Sequence, residues 1–393
     1  MRELDFSEDN LFNRLCGVNT IWKLLQGETK RYVKVRLERA LKAESDVRVG
    51  CARYARSEER QDYRNGSYSR GLLTTYGWIT GLRVPRVRGG GFESAVFRRY
   101  QRRQELLDVV LLESFLLGHS TRKSRRLFGS LFGESVSAPT VSRIVQHLDG
   151  DLETFHRRPI SARYRYVYLD GLWITLRKPV KSRKVILVAL GVAEDGTQHL
   201  LSFQLAPSES ESCWWGFVSD LKVRGLRSPQ LVITDGAAGL VKAVQALYPR
   251  SDHQRCGVHK AFEAASRVAD KRHLRSFRLA ALRVFEARTE TELRTHLSVF
   301  TERWSKREPR AVQAFLRGLD GCLTYLTYPP PEQRRLYNTN LIERYIEEIR
   351  RRTIPMRSFN NARSAERIIY GLIAYVLNQE PEDMSNYQFT QHA

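Results

Sequence analysis

The chain has 393 residues, 42% of them hydrophobic, and its 65 Lys and Arg outnumber 43 Asp and Glu to give a formal charge of +22. That length and apolar fraction suit two or three folded domains, and no run approaches the roughly 18 apolar residues a membrane-spanning helix needs. So large a positive excess calls for a polyanionic partner, nucleic acid before an anionic membrane, because no long basic helix carries a clean apolar face.

Five scattered cysteines (Cys16, Cys51, Cys213, Cys256, Cys322) and a first segment without a signal peptide's apolar stretch lead us to expect a reducing, cytoplasmic setting.

Residues 1–60 read as helical, with Leu11, Leu15, Trp22 and Leu25, then Val33, Leu37 and Leu41, at helical intervals among Lys and Arg. Residues 61–103 read as a small β-containing segment. Arg64-Asn-Gly-Ser-Tyr-Ser-Arg70 has turn chemistry, and Leu72 to Val87 predicts short strands with Pro85 at an end or edge. Residues 104–160 predict three helices. The first runs from Glu105 to Leu117. The second starts near Thr121 and carries Arg122, Lys123, Arg125 and Arg126. The third opens at Ser137-Ala-Pro-Thr140, carries Arg143 and continues to Leu148. Such a tri-helical unit looks like a helix-turn-helix, which makes those basic residues candidate DNA contacts.

Residues 161–258 change to an α/β pattern. Strands are expected at Tyr164 to Leu176, Val185 to Val192 and Gln198 to Leu205, with a hairpin turn at Glu194-Asp-Gly196. A helix from Trp214 to Leu221, a strand at Leu231-Val-Ile-Thr234, a helix from Ala237 to Leu247 and a short strand near Asp252 to Arg255 follow, predicting a mixed sheet. Residues 259–335 read as an all-α insertion, ended by Pro329-Pro-Pro331. Residues 336–393 supply two more helices, Asn340 to Arg352 and Ala362 to Leu377. The fold class expected is multidomain, α+β and α/β, with helices ahead of a mixed-sheet core.

Two aspartates stand out against their strands. Asp170 follows Tyr166-Val-Tyr-Leu169 inside a strand that reads as buried, where an ionised group is costly unless paired or metal-bound. Asp235 follows Leu231-Val-Ile-Thr234 at a strand's carboxyl end, where α/β proteins place their sites. It could equally cap the helix at Ala237. Together the two could share one or two Mg²⁺ ions. In-line attack on phosphorus uses a pair of metals to activate one oxygen and stabilise the other, and a third carboxylate completes such a site. Glu343 and Glu347, one turn apart in Asn338-Thr-Asn-Leu-Ile-Glu-Arg-Tyr-Ile-Glu-Glu-Ile-Arg350, are both open on these grounds. His253, Cys256 and His259 fall close together, but no second pair supplies the fourth ligand of a structural zinc site.

Six segments, in order, resemble the Mutator-type transposases of bacterial insertion sequences, a branch of the DDE transposases with a ribonuclease-H-like fold. They are Arg64-Asn-Gly66 with Arg70-Gly-Leu-Leu-Thr-Thr-Tyr-Gly77 and Val84-Pro-Arg-Val-Arg88; Tyr168-Leu-Asp170-Gly-Leu-Trp; Trp215 with Leu221-Lys-Val-Arg-Gly-Leu226; Ile233-Thr-Asp235 with Gly239-Leu240; Arg255-Cys-Gly-Val-His-Lys260; and Thr339-Asn-Leu-Ile-Glu343 with Glu348-Ile-Arg-Arg-Arg-Thr353. The resemblance implies Asp170, Asp235 and Glu343 as catalytic metal ligands. It implies Mg²⁺ as cofactor, with two ions and Mn²⁺ as a substitute. It also implies 3′-OH attack on phosphodiesters and a homodimer acting on double-stranded DNA, both terminal inverted repeats and target. It selects Glu343 over Glu347 and reads the long gap before it as the helical insertion. It places Cys256 and His259 beside the active site. Arg350, Arg351 and Arg352, two turns past Glu343, join the candidate phosphate contacts. A stand-alone ribonuclease-H-like nuclease or resolvase, and a non-catalytic transposase-derived DNA-binding protein, are the alternatives.

Overall fold

A computed structural model describes residues 19–55, 58–90, 92–98, 100–132 and 136–374. Leu11 and Leu15 of the expected first helix, Cys16, and the end of the helix expected to reach Leu377 lie outside those residues. The chain divides into two compact units: residues up to 144 without 116–118, and residues 116–118 with 145 onward.

In the first unit, helix α1 (Asn19–Val49) packs along the second strand of a hairpin, β1 (Arg64–Thr74) and β2 (Gly77–Val87). Leu41, Leu72, Leu82, Val84 and Phe97 form its core. Here the expected turn at Arg64 to Arg70 is corrected, because this stretch is strand. Gly66 at φ +68° lies where the pairing slips between Arg64 and Ser67, so the Asn-Gly pair makes a bulge and the ladder continues. The chain reverses instead at Thr75-Tyr76, closed by Gly77 at φ +103° and by Thr74 Oγ1 donating to the Gly77 carbonyl at 3.0 Å. Pro85 pairs with Ser67 in this two-stranded ribbon, where every strand is an edge. Helices α2 (Glu105–Leu116), α3 (Thr121–Phe132) and α4 (Ala138–Gln146) follow. The Ser137 hydroxyl accepts from Thr140 N at 3.3 Å at the start of α4. The run expected to reach Leu148 breaks at His147, and α5 (Leu148–Arg157) starts anew as part of the second unit.

The second unit holds a five-stranded mixed sheet in the order β5-β4-β3-β6-β7. β3 (Tyr164–Leu176), β4 (Ser182–Ala193) and β5 (Gln198–Ala206) form an antiparallel meander. β6 (Leu231–Thr234) lies parallel to β3, and β7 (Asp252–Arg255) parallel to β6. The alternation of β3 sets its two faces. Val167 and Leu169 join Leu187, Leu201 and Val232 in a core closed by Trp214, Phe217, Val218 and Leu221 of α6 (Glu211–Val223) and Leu240, Ala243 and Val244 of α7 (Ala238–Leu247). Tyr166, Tyr168 and Asp170 take the opposite phase.

Residues 257–336 contain no strand among the described residues. This stretch holds helices α8 (Gly257–Ala265), α9 (Leu274–Val284), α10 (Glu290–Trp304), α11 (Pro309–Leu316) and α12 (Pro330–Leu336), and α9, α10 and α11 share an aromatic cluster in which Phe277 meets Phe300 and Trp304, and Phe315 meets Phe300 and Phe285 just past α9. The buried Lys260 Nζ donates to the carbonyls of Ala314 and Arg317 at 2.8 and 2.6 Å, tying α8 to the end of α11. Helices α13 (Asn340–Thr353) and α14 (Ala362–Leu372) complete the unit. No helix among the described residues is long and apolar enough to cross a membrane.

Leu187 is 0% exposed at the centre of β4. Leu187→Ala is expected to destabilise the protein by roughly 3 kcal/mol through lost burial and a residual cavity. A urea midpoint within error of wild type would contradict that core.

Candidate active site

The site starts from strand register. β3 and β6 run parallel with Tyr168 opposite Ile233. Two residues further along each chain stand Asp170 and Asp235. Tyr168, in phase with Asp170, donates its hydroxyl to the Arg335 carbonyl at 3.0 Å, and α13 packs against β3. The face bearing Asp170 is therefore the one that receives α12 and α13.

Each acid has one oxygen held by the protein. Asp170 Oδ1 accepts from Gly171 N at 2.7 Å, and Asp235 Oδ1 accepts from Ala237 N at 2.9 Å. The second bond is the local turn expected of an aspartate before a helix, so Asp235 shapes the backbone and presents a carboxylate at once. Gly236 takes φ +88°, and a Cβ there would overlap the Arg255 side chain, so the sharp exit from β6 needs glycine.

Glu343 lies in the first turn of α13, where acids suit the helix dipole. Its Oε1 accepts from Thr339 Oγ1 at 2.6 Å. Thr339 is fully buried, and the same hydroxyl lies 3.2 Å from Cys256 Sγ and 3.4 Å from His259 Nδ1. One hydroxyl proton serves the carboxylate, the strongest acceptor. That proton also points within reach of the Cys256 sulfur as a second acceptor, and an oxygen lone pair faces the His259 ring N–H. Cys256 Sγ also accepts from His259 N at 3.4 Å, capping α8. The donor atoms of Cys256, His259 and Glu343 all lie within 4.8 Å of one another.

The charges are coupled. Burial first, then the charges of Asp235 and Glu343, push the Asp170 carboxyl up to about 7, against the Gly171 N–H and the His259 charge. The bond to Cys256, followed by the charges on Cys256, Asp170 and Glu343, raises His259 to about 9 against its desolvation. His259 Nδ1 stands 3.9 Å from Glu343 Oε1. An imidazolium thus sits at the edge of an acidic cluster.

Cys256, His259 and Glu343 are thereby brought together in the second unit, and Asp170 lies within range of the charges of His259, Asp235 and Glu343. His253, close to Cys256 in sequence, is not part of the cluster. Its Nε2 pairs with Thr234 Oγ1 at 2.8 Å, and burial, then Arg255, lowers it to about 4. Glu347 is exposed, and Glu348 pairs with Arg351 at 2.5 Å and Arg352 at 2.8 Å. Arg122, Lys123, Arg125 and Arg126 are exposed around the buried Ser124 and Phe128 of α3, and Arg143 and Arg350 are exposed on α4 and α13.

Sequence reasoning missed two residues. Thr339 shows only as a polar residue ahead of a helix, although its spacing of one turn from Glu343 was a usable signal. Glu209, in the loop before α6, left none. A Cβ on Gly171 would overlap its carboxylate, and burial and the Asp235 charge raise its pKa. It is a fourth acid against the backbone beside Asp170.

A raised carboxyl stabilises the folded state only while protonated. The Asp170 contribution is therefore present below its unfolded value near 4 and lost as pH rises through about 7. In metal-free solution, Asp170→Asn should match wild type at pH 4 and exceed it at pH 8 by on the order of 2 kcal/mol. Thermal melts at the two pH values test this, and a gap that does not widen with pH counts against the coupled cluster.

The description "Transposase, Mutator family" matches residues 18–380. The transposase for insertion sequence element ISRM5 of Rhizobium meliloti (strain 1021) is 34% identical over 345 residues, covering 87% of this chain and 86% of its own. The transposase for insertion sequence element IS905 of Lactococcus lactis subsp. lactis (strain IL1403) is 32% identical over 79% of this chain and 78% of its own. The transposase for insertion sequence element IS256 in transposon Tn4001 of Staphylococcus aureus is 34% identical over 84% of this chain and 85% of its own.

Proposed function

The chain belongs to the Mutator family of transposases, and from that premise we propose that it is the DNA transposase of an insertion sequence, cutting and joining strands at Asp170, Asp235 and Glu343. The observation that carries this reading is the burial of Asp170 within reach of the charges of Asp235 and Glu343. A carboxylate held there among like charges is costly alone and favourable once a dication neutralises the set. The donors are carboxylate oxygens, which suit Mg²⁺, with Mn²⁺ as a substitute. The antiparallel meander extended by two parallel strands supports a ribonuclease-H-like core, and the helical stretch 257–336 supports an insertion within it.

In this mechanism Asp170, Asp235 and Glu343 hold the metal ions. Mg²⁺ when bound supplies Lewis-acid polarisation of the phosphate and a lowered pKa for the attacking hydroxyl. The Thr339 hydroxyl orients Glu343, and Gly171 N–H and Ala237 N–H orient the two aspartates. His259, protonated at neutral pH, directs positive charge at phosphate oxygens that enter beside Glu343. The excess of 65 basic over 43 acidic residues supports binding to double-stranded DNA, at inverted repeats and at the target. The exposed arginines and lysine of α3, with Arg143, Arg350, Arg351 and Arg352, are proposed phosphate contacts. A homodimer would bring two ends together.

Replacing Asp170 or Asp235 with Asn, or Glu343 with Gln, is expected to lower Mg²⁺-dependent strand transfer about a thousandfold, the several kcal/mol a metal ligand supplies. Binding to end DNA should persist, and Glu347→Gln should stay within about twofold of wild type, because surface changes have small effects. Glu343→Gln joining strands at the wild-type rate would sink this assignment.

Thr339→Val keeps the shape and removes the hydroxyl. It should reduce strand transfer about tenfold and raise the Mg²⁺ concentration for half-maximal rate, as loss of a ligand's supporting bond does. Thr339→Ser should restore both. Equal rates and equal Mg²⁺ demand in the valine variant would leave Thr339 a packing residue.

A further inference from the structure

The motif Arg64 to Arg70 with Val84 to Arg88 plays no part in the carboxylate cluster. It gathers instead around a groove of about 850 Å³ in the first unit, between the hairpin and the chain at 92–98 and 100–102. Arg70, Arg86 and Arg102 line it, as do Tyr68 and Trp78, with Tyr100 at 79% exposure and Glu93 as the single acid. The Arg70 guanidinium lies 4.5 Å from the Phe97 ring centre, and that of Arg86 4.8 Å from Tyr68. A ring face holds a guanidinium by its quadrupole without taking up an N–H as a conventional hydrogen bond does, so donors remain for other acceptors. The Trp78 indole lies over Gly71, where a Cβ would overlap it, so the groove's floor depends on that glycine. Its far wall is pinned to β1, with Leu73 N donating to the Arg102 carbonyl at 2.9 Å and Gln104 N to the Leu73 carbonyl at 2.8 Å.

Cationic edges interleaved with aromatic surface match one class of ligand. A duplex offers phosphates and keeps its bases stacked inside. An unpaired strand offers phosphates and base faces together. We propose that this groove holds a short unpaired stretch of DNA, with its phosphates on Arg70, Arg86 and Arg102 and a base against Tyr100 and Trp78. The inference rests on the reading of this chain as a protein that acts on DNA, and adds a strand-specific site to it.

The test uses the full chain in EDTA, so that metal-dependent chemistry plays no part. Fluorescence anisotropy follows a labelled single strand of about twelve nucleotides and the duplex of the same sequence, across a salt series. Arg86 and Arg102 are exposed, so Arg86→Ala with Arg102→Ala should fold normally. For the single strand, this double variant should flatten the slope of log affinity against log salt by roughly 1.4, for two lost phosphate contacts. Tyr100→Ala should weaken single-strand binding about tenfold without changing that slope, and leave duplex binding within about twofold. Wild-type behaviour in both variants would overturn the proposal. So would proportional losses on single strand and duplex, which mark a plain phosphate contact. A wild-type protein that binds neither form would overturn the DNA reading along with it. Single-strand losses as described, in a protein whose acid variants still join strands, would leave the groove standing and remove only the carboxylate assignment.

Discussion

Everything at the candidate active site depends on the parallel pairing of β3 with β6. With Tyr168 opposite Ile233, the two chains carry Asp170 and Asp235 outward at the same level. A slip of one residue would turn either aspartate onto the face filled by Trp214, Phe217 and Leu240. That face is apolar because α6 and α7 cover it, so the register is enforced by burial as much as by hydrogen bonds. The acids thus inherit their geometry from core packing on the other side of the sheet.

Glu343 reaches the same face by a different route. Long-range hydrogen bonds bring its helix back across more than eighty residues. Cys256 N donates to the Thr234 carbonyl at 2.7 Å, which continues the sheet one residue past β7, and Gly257 N donates to the Tyr337 carbonyl at 2.7 Å. Those bonds fasten the start of α8 both to the strand that presents Asp235 and to the chain just ahead of α13. Thr339 then joins Cys256, His259 and Glu343 through one buried hydroxyl. The aromatic cluster of residues 257–336 gives this segment a core of its own, so a long excursion in sequence does not loosen the return.

The strands were legible because their signals are local. Val185 to Val192 reads as a buried run, and Leu231 to Thr234 as a short apolar strand ahead of an acid. Asp170 and Asp235 were legible as charges out of place. Chemistry alone left Glu343 and Glu347 tied, since one turn of helix cannot say which face meets a sheet. In the fold Glu347 is exposed and Glu343 half-buried, a difference in surroundings that spacing along one helix does not carry. The hairpin misled for a physical reason. Asn65-Gly66 has the composition of a turn, and a bulge asks the same left-handed glycine of the chain, so only pairing with Pro85 and Val84 tells the two apart. Glu209 could not be found at all, because its place beside Asp170 is set by the loop before α6 and not by any spacing.

The basic residues show why charge density in a sequence is a poor measure of charge available to a ligand. Arg351 and Arg352 belong to the densest run near Glu343, yet both are engaged by Glu348. Any phosphate they grip must compete with a carboxylate already in place, whereas the neighbouring Arg350 is exposed. In the hairpin groove the arginines are sparser along the chain, but two are braced on aromatic rings, which restrains the guanidinium groups without taking up their N–H donors as hydrogen bonds do. A braced arginine loses less rotamer freedom on gripping a phosphate than a solvated one. The residues best prepared to meet an anion are therefore those spaced by the alternation of a β-hairpin and backed by aromatic side chains, and not those that form the longest basic run.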